Sequence, residues 1–390
     1  MNKHILHKEV QDFINENLDS DISKLIFKGS PFANISIQKL VEQIESKYKC
    51  KSKLYKWFST ENIYFPNKLN IEQTSSETTA VYKAGLIKGE TLIDLTGGFG
   101  VDAYYFSKRF KEVTHCELNT TLSEIAKHNF QLLNVAINVV ATDGLEYLHA
   151  KQQRYDWIYI DPSRRNDLKQ KVFLLKDCLP NIPDNLDILF EYTDNILIKA
   201  SPMLDITSAI NELNFVKEVH VVAVRNEVKE LLFILEKSFA KNVFIKTINI
   251  NKEADEYFES EFKSDIKPNL SLPQTYLYEP NSAILKGGLF NEVSHQLNIN
   301  KLHINSHLYT SNTLINFPGR NFRVLRILPY NLKTLKTTLS FSKANITTRN
   351  FPETVVQIRK KTKLKEGGDQ YLFFTTTLDN NRIVLICEKM

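Results

Sequence analysis

Residues Thr91–Asp102, TLIDLTGGFGVD, constrain the fold of this 390-residue chain more tightly than any other stretch. A short apolar run ends in an acid, Asp94, passes through Gly97, Gly98 and Gly100, and opens into a helical pattern. Glycine adopts dihedrals closed to other residues and lets backbone approach a neighbour with no Cβ in the way. A helix starting beside such a turn offers its unpaired N–H groups to a ligand. The spacing, D-x-x-x-G-x-G, differs from the G-x-G-x-x-G of dinucleotide enzymes, whose glycines face a pyrophosphate. An acid at the strand end suits a cationic group, such as an amino-acid ammonium, better than a pyrophosphate.

Around that turn, short apolar runs alternate with amphipathic stretches, which predicts βαβ units and a parallel sheet. Strands are expected at Leu92–Leu95, Val113–Glu117, Ile137–Ala141, Trp157–Ile160 and Ile196–Lys199. Helices are expected near Asp102–Arg109, Thr120–Leu133 and Ile206–Leu213. Val219–Val224 and Glu230–Leu235 follow, joined by a link (Arg225–Lys229) too short for a crossover helix. These two must therefore pair antiparallel. The predicted sheet domain spans residues 76–240. Before it, residues 1–75 read as a helical region, with Val10, Phe13, Ile14 and Leu18, then Leu40, Ile44 and Tyr48, at helical spacing.

Asn251–Gln274 is charged, proline-containing and poor in pattern, and marks a boundary. Residues 241–316 are accordingly expected to be a linker and a small mixed unit. Residues 317–390 are expected to be a compact α+β module ending in strands Gln370–Thr376 and Arg382–Glu388 around the turn Asp379-Asn380-Asn381. That module is basic. It holds fourteen Lys and Arg against five Asp and Glu, a net charge of +9, in a chain whose total is +5, leaving −4 for the first 316 residues. A basic module on a mildly acidic body points to a polyanionic partner.

Composition narrows the class. At 42% hydrophobic the chain buries a sizeable core without staples. No apolar run approaches the roughly 18 residues of a membrane span, and the start, MNKHILHKEV, lacks a signal-peptide core. No membrane association is expected. Cys50, Cys116, Cys178 and Cys387 are scattered without a CxxC pair, which argues against a disulfide framework or a cysteine-rich zinc site. The nine histidines are dispersed, so no metal is expected, and a reducing cytoplasm fits best.

The acids carry the chemistry. Glu117 closes the second predicted strand 23 residues after Asp94, where an acid can accept hydrogen bonds from both hydroxyls of a ribose. Asp143, in ATDG after the third, suits an adenine amino group, and Asp161 ends the fourth in YIDPSRR. Four acids at four consecutive C-terminal strand ends line the crevice where open α/β sheets bind ligands.

Five blocks, in order, carry a family resemblance: Glu72–Gly85 (EQTSSETTAVYKAG), Asp94–Asp102 (DLTGGFGVD), Tyr159–Arg165 (YIDPSRR), Tyr276–Phe290 (YLYEPNSAILKGGLF) and Ala344–Thr376 (ANITTRNFPETVVQIRKKTKLKEGGDQYLFFTT). The chain resembles bacterial class I S-adenosylmethionine (SAM)-dependent methyltransferases that carry a ferredoxin-like insert and a C-terminal THUMP-like domain. The fold class implied is α/β: a Rossmann-like parallel sheet with a closing antiparallel hairpin, an N-terminal helical region and small C-terminal α+β domains. The resemblance implies SAM as cofactor, held around Asp94, Thr96, Gly98, Gly100, Glu117 and Asp143, with Gln73 and Glu77 brought near it by the segment before the first strand. It implies RNA, tRNA or rRNA, as the partner of the THUMP-like module. Arg165 and the run Arg359, Lys360, Lys361, Lys363 and Lys365 are the candidate RNA contacts.

The loop Asp161-Pro162-Ser163-Arg164 is the candidate catalytic element. Carbon-5 methylation of a pyrimidine needs a cysteine thiolate, which such enzymes carry after the fourth or the fifth strand. Here those places read DPSRR and KASP, and Cys178 reads as part of a helical segment. Methylation of a base nitrogen, with Asp161 orienting or deprotonating it, is the expected chemistry. Two other readings stand beside it: a methyltransferase of a small molecule or protein, and a non-catalytic RNA-binding protein.

Overall fold

The computed structural model describes residues 1–164 and 174–390. The chain divides into two compact units, residues Met1–Lys217 with Leu232–Ala240, and Glu218–Leu231 with Lys241–Met390.

In the first unit, six helices precede the first strand: α1 (Lys8–Glu16), α2 (Ile22–Lys28), α3 (Ile37–Lys53), α4 (Tyr55–Ser59), α5 (Lys68–Gln73) and α6 (Glu77–Leu86). Asp21, Ser36, Asn67 and Ser76 each cap a start by accepting a backbone N–H of the first turn. The expected alternation follows: β1 (Thr91–Asp94), α7 (Val101–Phe106), β2 (Glu112–Cys116), α8 (Thr120–Leu132), β3 (Asn138–Val140), α9 (Gly144–Lys151) and β4 (Trp157–Ile160). A two-residue strand, β5 (Ser163–Arg164), pairs antiparallel with β6 (Cys178–Leu179). Then come α10 (Ile182–Tyr192), β7 (Asn195–Ala200) and α11 (Ile206–Glu212), followed by β8 (Val216–Val224) and β9 (Glu227–Glu236), whose residues Glu218–Leu231 are counted with the second unit. The strands β1, β2, β3, β4 and β7 pair in parallel, and Ile93, Ile158, Ile160 and Ile196–Ile198 are fully buried, as central parallel strands require.

The link between β8 and β9 is shorter than the sequence suggested. Only Arg225 and Asn226 turn the chain, with φ of 51° and 62°, the left-handed pair that a two-residue hairpin demands. Hydrogen-bonded neighbours run β3-β2-β1-β4-β7-β9-β8 and continue into β10 (Phe244–Ile250) and β11 (Glu256–Glu261). The α/β class with a closing hairpin is therefore what forms. The extra strand β11 lies inside the segment read as pattern-poor. Its inward positions hold Phe258 and Ser260, and a serine in one of two inward places hides the alternation.

In the second unit a seven-stranded sheet has the order β13-β14-β12-β15-β18-β17-β16. Its members are β12 (Tyr276–Pro280), β13 (Asn300–Lys301), β14 (Tyr309–Ser311), β15 (Gly319–Pro329), β16 (Asn345–Arg349), β17 (Gln370–Thr376) and β18 (Arg382–Lys389). Four helices accompany them: α12 (Ser282–Gly287), α13 (Phe290–Gln296), α14 (Leu332–Thr338) and α15 (Val355–Thr362). Alternate residues of β17 and β18 build two cores. Phe373, Leu385 and Cys387 join Leu277, Leu302 and Phe322 in one, and Leu372, Phe374, Val384 and Ile386 join Leu335, Ile358 and Leu364 in the other.

One buried acid ties the strands of this sheet together. Glu279 on β12 is 3% exposed and forms ion pairs with Arg320 on β15 and with Arg349 on β16, the latter at 2.7 Å. Removing the acid would leave two partly buried guanidinium groups facing each other. Replacing Glu279 by alanine should cost about 2–3 kcal/mol, below the figure for a fully buried pair because both arginines keep about a third of their exposure. Denaturant unfolding measures it.

Candidate ligand and catalytic site

The glycine turn is built by close packing against β2. A Cβ on Gly97 would lie 2.3 Å from the His115 ring, and one on Gly100 would lie 2.4 Å from Phe130, so neither position tolerates a side chain. Gly100 also has φ of +85° where it starts α7. A Cβ on Gly98 meets nothing nearby: its nearest atom is the Thr96 carbonyl oxygen at 3.8 Å. The open side of the turn is therefore at Gly98. There the Gly98 N–H donates to Glu117 Oε2 at 2.8 Å, while Oε1 of the same acid accepts from Asn119 N at 2.7 Å. Glu117 is thus aimed by two backbone amides at the rim of the turn.

His115 is the hidden support. Its ring is fully buried beneath Gly97, edge-on to Phe130 at 5.5 Å, and neither ring nitrogen makes a hydrogen bond among the described residues. Burial pushes its pKa down from 6.5 to about 4, so it is held neutral. The unfolded chain binds the proton that the fold excludes. The contribution of His115 is intact above pH 6.5 and is lost as pH falls toward 4, by about 3 kcal/mol in all. A His115→Phe variant should flatten the stability profile over that interval; thermal melts at pH 7 and pH 4.5 would reveal it.

Three acids converge at the ends of β1, β4 and the first turn of α7, with two lysines among them. Asp102 is almost fully buried and accepts from Ser75 Oγ and Tyr159 OH, each at 2.8 Å, with Lys83 Nζ at 3.2 Å. Burial opposes its charge, but Lys83 and Lys199 outweigh that and hold its pKa below the usual range. Asp161 is paired with Lys199 Nζ at 2.5 Å, and its backbone N–H donates to Thr96 Oγ1 at 2.7 Å. Asp94 differs. It is 1% exposed and its Oδ1 accepts, among the described residues, from the Thr96 backbone and hydroxyl, at 3.0 and 3.4 Å. Burial, together with Asp102 and Asp161, drives its pKa well above the ordinary carboxylate range.

The remaining candidates are placed as follows. Asp143 caps α9, its Oδ1 accepting from Leu145 N and Glu146 N at 2.9 and 3.1 Å. Gly144 beside it is obligatory, because a Cβ there would lie 2.6 Å from the Leu95 carbonyl oxygen. Glu77 starts α6, accepts from Lys56 N at 2.6 Å, and has its pKa raised by burial. Gln73, the last residue of α5, is exposed. Pro162 is half-buried and Ser163 exposed, while Arg164 sits in β5 opposite Cys178. Arg165 lies outside the described residues.

Three residues escaped the sequence reading. Lys83 and Asp102 gave no signal because a buried ion pair looks, in sequence, like two surface charges. Lys199 was overlooked although KASP was inspected, because the search there was for a cysteine. Cys178 requires a correction: it is not helical but stands in β6 across from Arg164, its thiol donating to the Leu174 carbonyl at 3.7 Å. A thiol therefore does lie beside the DPSR loop. Its pairing with a residue 14 positions earlier is a contact that no periodicity encodes.

In the basic module, α15 starts with a capping box between Thr354 and Gln357 and buries Ile358. Arg359 is half-buried and donates to the Leu364 and Ala344 carbonyls, both at 3.2 Å, and Lys361 pairs with Glu353 at 2.7 Å. Lys360, Lys363 and Lys365 are exposed, without an ion pair among the described residues.

Comparisons with known proteins bear on both units. A ferredoxin-like domain family matches residues 276–318, and a THUMP domain-like family matches residues 319–389. The crystal structure of a protein assigned as a methyltransferase from Porphyromonas gingivalis W83 is similar over 100% of this chain and 98% of its own, at 32% identity and a TM-score of 0.89. Mycoplasma capricolum TrmK, solved with S-adenosylhomocysteine, overlaps 45% of this chain and 70% of its own at 14% identity and a TM-score of 0.33. Thermus thermophilus RsmC, a 16S rRNA N2 G1207 methyltransferase, overlaps 44% and 43% at 12% identity and 0.31. Likenesses as slight as these last two bear on neither activity nor substrate. No curated protein matches the chain.

Proposed function

Because this chain belongs to the family of class I SAM-dependent methyltransferases with a ferredoxin-like and a C-terminal THUMP-like domain, we propose that it methylates a base nitrogen in structured RNA, tRNA or rRNA. SAM supplies an electrophilic methyl group on a sulfonium. The residues at the turn fit that donor. Gly98 leaves backbone open to it, Glu117 would accept from the ribose hydroxyls, and Asp143 would take the adenine amino group. Asp94, buried without a cation partner among the described residues, would supply the counter-charge for the ammonium. Gln73 and Glu77, on the segment before β1, are proposed to border the same pocket.

The observation that carries the RNA reading is a set of exposed lysines on the basic module without an ion pair among the described residues. Lys360, Lys363 and Lys365 are the residues proposed to meet phosphates, whereas Arg359 and Lys361 serve the module's own fold. Phosphate contacts release counter-ions, so RNA affinity should fall steeply with salt, and the triple change of those lysines to alanine should lower the slope by about 3 in log K against log salt. Filter binding across salt concentrations measures it; a salt-independent affinity would sink the assignment.

Nitrogen rather than carbon-5 chemistry is favoured by the engagement of the nearby thiol, which donates a hydrogen bond to the Leu174 carbonyl. Cys178→Ser should therefore keep transfer of labelled methyl to RNA from cells lacking the protein within about threefold of wild type, whereas loss of a nucleophile costs orders of magnitude. Absence of label from every RNA, with SAM still bound, would remove the RNA substrate from this reading.

A further inference from the structure

We infer that Lys199 fixes Asp161 as a hydrogen-bond acceptor, not a base, so that the site takes an exocyclic amino group of a nucleobase. The inference rests on the reading of this site as an RNA base methyltransferase and narrows its substrate. The geometry is set by the sheet. Ile160 and Ile198 are partners in the parallel register of β4 and β7, which brings the next residues, Asp161 and Lys199, side by side. Lys199 Nζ lies 2.5 Å from Asp161 Oδ2, with the lysine side chain 12% exposed and the aspartate 34%. The Asp161 backbone is anchored separately through its N–H to Thr96. One carboxylate oxygen is thus engaged and the main chain fixed, while Oδ1 has no partner among the described residues.

That arrangement selects among nitrogens. A proton delivered to Asp161 would leave the nearly buried Lys199 ammonium facing a neutral acid, which the lysine's low exposure makes unfavourable. Ring N–H groups that must lose a proton before they attack need a base, and Asp161 is poorly placed to be one. Ring nitrogens that carry a free lone pair need no base, but present no hydrogen to an acceptor and would set lone pair against carboxylate. An exocyclic amine satisfies both conditions. It donates an N–H to Asp161 Oδ1 while its lone pair attacks the methyl carbon. The N–C bond forms, the C–S bond breaks with its electron pair passing to sulfur, and the N-methylated cation then gives its proton to water. Lys199 acts throughout as a positioning residue.

The test uses the full-length protein, tritiated SAM and total RNA from cells lacking the protein, with labelled RNA digested to nucleosides and identified by mass. Label on an exocyclic amine of adenosine, cytidine or guanosine is expected. Label on a ring nitrogen, a carbon or a ribose overturns the inference and leaves an RNA methyltransferase standing; no label in any RNA removes that reading and the inference together. Variants separate acceptor from base. Asp161→Asn, which still accepts a hydrogen bond, should keep about a tenth of the rate, against a loss of about 10²–10³ for Asp161→Ala. Lys199→Met should lose about tenfold or more and Lys199→Arg should restore most of it, with SAM affinity by calorimetry within about threefold throughout. Asp161→Asn as inactive as Asp161→Ala, or Lys199→Met as active as wild type, would overturn it.

Discussion

The site depends on one close approach, that of Gly97 and Gly100 to the face of β2. The His115 ring and Phe130 occupy the volume that side chains at those glycines would need. That contact fixes where α7 begins and leaves Gly98 as the exposed member of the turn. Gly98 in turn orients Glu117. The rim of the turn is therefore held from beneath by an uncharged imidazole.

Much of this was legible in the sequence, and the reason is periodicity. Strands that are apolar on both faces, and a closing antiparallel pair with too short a link for a helix, are local signals and form as read, although the link is two residues rather than the five expected. What stayed hidden was of two kinds. Lys83, Asp102 and Lys199 are charged residues inside the fold, and their partners lie 19 and 38 positions away, at spacings that no helix or strand period relates. The strands β5 and β6 join residues 14 and 16 positions apart, a pairing that no period relates. Strand β11 was missed for a simpler reason, a serine at an inward position. Arg359 shows the reverse failure: a basic run invites one function for all its members, yet helix geometry turns one of them inward to bond two carbonyls.

The two ion pairs of the site divide its labour. Lys83 with Asp102, joined by Ser75 and Tyr159, links the segment before β1 to the first turn of α7 and to β4. Lys199 with Asp161 lies toward the open side, where an aspartate one-third exposed remains available to a second molecule. Both pairs flank the same strand ends, and Lys199 acts electrostatically on Asp102 as well. The donor side and the acceptor side of the site are thus connected through one lysine.

Among the described residues, Asp102 and Asp161 have lysine partners and Asp94 does not. Asp94 is the most buried of the three, and burial beside two other acids raises its pKa. Proteins seldom maintain such a group at the mouth of a crevice for packing alone, since an amide or a hydroxyl would satisfy the Thr96 donors at lower cost. A ligand ammonium placed beside Asp94 would remove that penalty by making the ionised form the favoured one. The acid would then release its proton on binding, and affinity for the amino-acid end of the ligand would rise with pH. The counter-charge that Lys83 and Lys199 provide to Asp102 and Asp161 is, under the proposed function, the part that the ammonium of the methyl donor would play at Asp94.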